Sequence, residues 1–140
     1  MATIFVDTGY HVALIDSRDQ LHDVAKARGE ALRHGHAVFV TTESVLVEFL
    51  TYFSGGGDRI RLAAVAYVED LRSAPEFTIL PHDSALFLAA LDLYRARPDK
   101  SYSMTDCMSM VVCRERGIGD VLTYDRDFEQ EGFVAMLRGA

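Results

Sequence analysis

Basic residues are scarce in this chain. Fourteen Lys and Arg stand against 21 Asp and Glu over 140 residues, a formal net charge of −7. That balance excludes binding of nucleic acid through a broad basic surface. Any basic contact must come from local clusters such as RDQ, DRIR, RARPDK and RERG. Apolar runs are short as well, and none approaches the ~20 residues that a membrane span needs. The opening run ATIFVD carries an acid and no preceding basic stretch, so a signal peptide is not expected and the predicted location is cytoplasmic. Cysteine is limited to Cys107 and Cys113, six apart in one apolar helical pattern. This argues against a disulfide framework or a zinc site and predicts free, buried thiols. The five histidines show no HExxH or similar ligand spacing, and His34-Gly35-His36 reads as a surface turn. Ser54-Gly55-Gly56-Gly57 lacks the lysine and spacing of a P-loop. No Ser/Cys–His–Asp arrangement for nucleophilic catalysis stands out. Without linker, low-complexity tract or internal repeat, residues 1–140 read as a single domain.

What remains is a regular alternation. Short apolar runs at 3–7, 37–41, 77–80 and 120–124 read as strands, with a last one in FVAML after Gly132. Between them fall helical patterns at 9–16, 20–34, Thr41 or Thr42 to Phe53, Asp58 to Ser73, Ser84 to Arg97 and Ser103 to Arg116, then a helical turn at 127–131. Short buried strands separated by helices predict an α/β fold, a three-layer α/β/α sandwich around a central parallel sheet. Ligand sites in such sheets lie beyond the carboxyl ends of the strands.

Four acids sit in telling places. Asp7 and Asp125 follow strand-like runs, IFVD and VLTYD. Glu48 lies mid-helix beside Val45, Leu46, Phe49 and Leu50, and Asp106 lies near the start of a helix that is apolar almost all round. Each has an ordinary explanation. Asp7 and Asp125 are natural helix caps, and Asp127 is an even better one. Ser103-x-x-Asp106 has the form of a capping box. Glu48 fits a solvated flank, although it is too far along its helix for the dipole effect that explains Glu43. Together the four form an oxygen-only ligand set suited to Mg²⁺ or Mn²⁺. Two other acid chemistries fail on motif. The segment Asp7-Thr8-Gly9 lacks the second aspartate of a haloacid-dehalogenase-type phosphatase, and the 37–41 strand ends without the acid of a receiver domain.

VDT near the N-terminus, a Glu inside LVEFL, S-x-T-D-C opening a buried helix, and LTYDRDF after the fourth strand resemble the PIN-domain ribonucleases, which include VapC-type toxins. The resemblance runs over essentially the whole chain and is most specific from Lys100 to Phe133. It implies a PIN-like fold and an Mg²⁺- or Mn²⁺-dependent endoribonuclease whose metal pocket is Asp7, Glu48, Asp106 and Asp125. Ser103 and Thr123 are the implied supporting hydroxyls, and Asp127 a less essential companion. Relatives often carry Ser or Asn shortly after the first aspartate. Here Thr8-Gly9 follows, so Thr8 is expected to supply the hydroxyl. Lys100 and Arg97 are candidates to contact the RNA backbone. The resemblance further implies an RNA substrate, an antitoxin that blocks the pocket with a basic residue or helix, and a homodimer. The rival reading is a noncatalytic RNA- or protein-binding PIN domain with a degenerate metal site.

Overall fold

The computed structural model describes residues 1–139. In chain order the elements are β1 (Thr3–Val6), α1 (Thr8–Ile15), α2 (His22–His34), β2 (Val38–Thr42), α3 (Glu43–Tyr52), α4 (Asp58–Ser73), β3 (Phe77–Leu80), α5 (Ser84–Ala96), α6 (Met104–Arg116), β4 (Asp120–Leu122), α7 (Arg126–Gln130) and β5 (Val134–Ala135). The five strands form one parallel sheet in the order β3-β2-β1-β4-β5. This is the predicted α/β architecture, with β1 at its centre.

Side chains on a strand alternate between the faces of the sheet, and that alternation builds the layers. Phe5, Val40 and Val121 point to one face and pack with Ala90 of α5 and with Cys107, Met108, Met110 and Cys113 of α6. Ile4, Val6, Phe39 and Leu122 point to the other and pack with Tyr10 and Ala13 of α1 and Ala25 of α2. A third cluster, Val12, Phe49, Phe53 and Ala64, ties α1 to α3 and α4. Cys107 and Cys113 are free and buried, as their apolar helix predicts. Among the described residues no helix is long and apolar enough to cross a membrane.

Local signals explain most helix ends. The Thr42 hydroxyl accepts the Val45 N–H at 3.1 Å and starts α3. Gly117, in the left-handed region with φ 66°, stops α6. Two caps depart from expectation. Asp58 does not cap α4: Gly57, at φ 92°, holds that position and Asp58 falls in the first turn. Asp127 does not cap α7 either. Asp125 does, its Oδ1 accepting the Asp127 N–H at 2.9 Å. An extended Asp125 leaves its carboxylate free to fold back on the next turn, whereas Asp127 is already helical.

Candidate metal centre

Asp7 leaves the carboxyl end of β1 and is buried, 7% exposed. It occupies the N-cap position of α1, yet its side chain makes no cap hydrogen bond. Its Oδ2 instead accepts from the Thr123 hydroxyl at 2.8 Å. Register accounts for this pairing. Val6 is paired with Leu122, and the Asp7 N–H donates to the Leu122 carbonyl. One residue further on, Asp7 and Thr123 stand side by side on the α6 side of the sheet. Thr123 Oγ1 also accepts the Asp125 N–H at 3.1 Å, so one hydroxyl positions both strand-end acids.

Asp106 reaches the same region from α6. The capping box is present: Ser103 Oγ accepts the Asp106 N–H, and Asp106 Oδ2 accepts the Ser103 N–H, both at 3.0 Å. One carboxylate oxygen each from Asp106, Asp125 and Asp127 lie within 4.8 Å of one another. Glu48 approaches from α3, where its Oε1 accepts the Thr8 hydroxyl at 2.6 Å. Thr8 thus carries a supporting hydroxyl, directed at Glu48.

The electrostatics record how close these acids lie. Burial, then the charges of Asp106 and Glu48, push the Asp7 carboxyl up to about 7, against the hydrogen bonds from Thr123 and Thr8. Burial, then Asp125 and Glu48, raise Asp106 to about 6, with the Ser103 bonds opposing. Burial and Asp125 also raise Asp127, while Lys100 pulls it down. Among the described residues none of these five acids has a Lys or Arg ion-pair partner. Like charges gathered without a basic partner need a cation to stay ionised near neutral pH. An oxygen-only set of carboxylates fits a hard divalent ion that keeps several of its waters.

The structure therefore brings Asp7, Glu48, Asp106 and Asp125 together, with Thr8, Ser103 and Thr123 bonded to them or beside them. Asp127 is nearer the centre than a cap role predicts, since it completes a carboxylate triplet with Asp106 and Asp125, while Asp7 and Glu48 stand outside it. Arg97 is engaged within the fold. Its guanidinium holds Glu131 through Nε at 2.9 Å and Nη2 at 3.2 Å, so it serves the fold. Glu131, which also accepts from Arg114 and Tyr102, gives no sequence signal that separates it from a surface acid.

The family model "PIN domain" matches residues 4–133. The 23S rRNA-specific endonuclease VapC20 from two strains of Mycobacterium tuberculosis is 30% identical over 132 residues, which cover 94% of this chain and 95% of that protein. The crystal structure of Mycobacterium tuberculosis VapC20, described as a Sarcin-Ricin loop cleaving toxin, superposes with a TM-score of 0.80 at 28% identity, over 94% of this chain and 97% of that one. With the acidic centre at the ends of β1 and β4 and the match across nearly its full length, the chain belongs to the PIN domain family.

Proposed function

We propose that this chain is a metal-dependent endoribonuclease that hydrolyses RNA phosphodiester bonds as the toxin of a toxin–antitoxin pair. The observation that carries the reading is the convergence of Asp7 after β1, Glu48 of α3, Asp106 of α6 and Asp125 and Asp127 at the start of α7, with no Lys or Arg ion-pair partner among the described residues. Asp7, Glu48, Asp106 and Asp125 would hold Mg²⁺ or Mn²⁺, with Asp127 alongside. The ion would supply positive charge for the scissile phosphate and a water of lowered pKa. The protein's own task is placement. Thr123 fixes Asp7 and the backbone of Asp125, Ser103 fixes Asp106, and Thr8 fixes Glu48. No side-chain nucleophile is required, in keeping with a sequence that offers none. Lys100 is the basic group whose charge is felt at Asp127, and it meets the RNA backbone at the edge of the centre.

The substrate follows from the relative: ribosomal RNA, in the manner of the 23S rRNA-specific endonuclease. A basic side chain of an antitoxin fits an acid cluster that lacks one. Exposed apolar side chains on α3 and α4, Val47, Leu50, Leu62 and Val65, favour a homodimer or an antitoxin contact there. A single domain over residues 1–140, working in the cytoplasm, completes the reading.

The test is cleavage of ribosomal RNA with Mn²⁺ or Mg²⁺ against EDTA, alongside Asp106→Asn and Asp7→Asn. Metal-dependent cleavage, lost in both variants, is expected. Cleavage that survives both substitutions or ignores EDTA refutes the metal-site role. Tight RNA binding without any cleavage favours the noncatalytic rival.

A further inference from the structure

Tyr124 stands between two residues of the centre. Thr123 before it is buried and bonded to Asp7, and Asp125 after it belongs to the carboxylate triplet. Tyr124 itself is 50% exposed, a large aromatic residue one position along the chain from Asp125. Its Cα is ~3.8 Å from that of Asp125 across one trans peptide.

The ring is braced. The guanidinium carbon of Arg138 lies 4.7 Å from the ring centroid. Arg138 Nη1 donates to the Tyr124 carbonyl at 3.1 Å, and its Nε pairs with Glu129 at 3.2 Å. The Arg138 side chain is 23% exposed, so these contacts hold much of it against the protein. The chain just before Arg138 is pinned too, because the Leu137 N–H donates to the Thr123 carbonyl at 3.1 Å. A cation packed on an aromatic ring contributes a modest stabilisation and fixes the ring's orientation. The fold therefore leaves a pre-oriented Tyr124 half exposed to solvent, on the segment that carries Thr123 and Asp125. Tyr124 lies in none of the three clusters that make up the core.

We propose that Tyr124, braced by Arg138, is a stacking platform for an unpaired nucleobase of the RNA next to the scissile phosphate. The inference rests on the ribonuclease reading and adds a base-binding subsite to it. Aromatic stacking accepts any base, because every base has a π-face, and it gives single-stranded segments a contact that bases stacked within a duplex cannot make. It also suits a protein of net charge −7, which cannot hold RNA through a general basic surface. Tyr124 is then a binding residue and Arg138 a positioning residue.

The test separates the base from the backbone. The Asp106→Asn protein is used with Mn²⁺, and binding of a uridine dodecamer is compared with that of an abasic ribose-phosphate chain of equal length by fluorescence anisotropy. Tyr124→Ala should weaken binding of the base-bearing chain about tenfold and leave the abasic chain unchanged. Tyr124→Phe and Tyr124→Trp should keep the affinity, which guards against a misfolded alanine variant. Arg138→Ala should weaken binding when Tyr124 is present and add nothing once Tyr124 is alanine. Equal losses on both chains, or no loss on either, overturn the proposal. So does a Tyr124→Ala change in oligomeric state without a change in RNA affinity, which assigns the ring to contacts between copies. The ribonuclease reading fails separately, if the wild-type protein with Mn²⁺ binds RNA but cleaves none.

Discussion

Thr123 Oγ1 donates to Asp7 Oδ2 at 2.8 Å across 116 positions of sequence. The same oxygen accepts the Asp125 N–H. This hydroxyl couples β1 to the segment after β4 at the point where the acids meet, and its hydrogen bonds reach both strand-end acids. Thr123→Val keeps the shape and removes the bond. The buried Asp7 carboxylate then loses a donor, and stability should fall by about 1 kcal/mol in denaturant titration. RNA cleavage should drop roughly tenfold or more through misplacement of the acid. Thr123→Ser should restore most of it. Cleavage by the valine variant at the wild-type rate would show that the hydroxyl is not needed for positioning.

Asp7 gives the metal-free protein an unusual pH dependence. Its folded carboxyl is raised from 3.8 to about 7, so the folded state holds a proton that the unfolded state releases. The stability this contributes is complete below pH 3.8 and is lost as pH rises through 7. Asp106, raised to about 6, acts in the same direction. Each tenfold change in proton affinity corresponds to ~1.4 kcal/mol, so Asp7→Asn should raise the stability of the metal-free protein at pH 8 by a few kcal/mol at most. It should have little effect at pH 4. The same substitution should abolish the stabilisation that Mn²⁺ gives the wild type at pH 8. A melting temperature unchanged by Asp7→Asn at both pH values counts against a strained acid.

The acid limb of stability belongs to other groups. Arg97, then Arg114 and Tyr102, hold Glu131 down to about 2 from an ordinary 4.5. That contribution is complete above pH 4.5 and is lost as pH falls towards 2. Burial depresses His11 to about 3 from 6.5, so its contribution is complete above 6.5 and is lost on the way down to 3. Asp7 opposes this loss only above its unfolded value of 3.8. Glu131→Gln should lower stability at pH 7 and flatten the loss between pH 4.5 and 2 in urea titrations. An acid limb as steep as that of the wild type would contradict the assignment.

His11 also has a defined tautomer. The Thr41 hydroxyl donates its only proton to the Val6 carbonyl at 2.9 Å. His11 Nε2, 3.1 Å from Thr41 Oγ1, must then carry the hydrogen, and Nδ1 accepts from Tyr67 at 2.7 Å. Nitrogen-15 NMR should show a neutral Nε2–H imidazole that does not titrate over roughly pH 5 to 8, where an ordinary histidine does. Titration with an ordinary midpoint would refute the buried chain of hydrogen bonds.

Gly29 faces Tyr10 where α2 crosses α1. A Cβ at Gly29 would overlap the Tyr10 hydroxyl, which is buried with no partner of its own among the described residues. Tyr10 is fully buried and cannot swing away. Gly29→Ala, normally favourable in a helix, should here cost roughly 1–3 kcal/mol. Gly29→Ala combined with Tyr10→Phe should recover part of that. A stabilised single variant would mean that the two helices separate easily.

Much of the architecture is legible along the chain because its causes are local. Apolar runs of a few residues, the stop at Gly117, the Thr42 cap and the Ser103–Asp106 box are set by neighbours within a few positions, and each appears where the sequence puts it. Caps are less legible when two candidates compete at short range. Asp125 and Asp127 differ in backbone conformation more than in chemistry, and Gly57 takes the cap from Asp58 by backbone conformation alone. Arg97 shows a different limit, since its partner Glu131 lies 34 residues away. The pattern of the sequence determined the α/β alternation, the four well-spaced acids and the shortage of basic residues that leaves them without partners. Only the tertiary structure decided that Thr123 turns to Asp7, that Asp127 joins Asp106 and Asp125, and that Tyr124 is left facing solvent. Those outcomes depend on strand register and on which side chains share a face, and residues distant in sequence acquire such relations only when the sheet closes over its core.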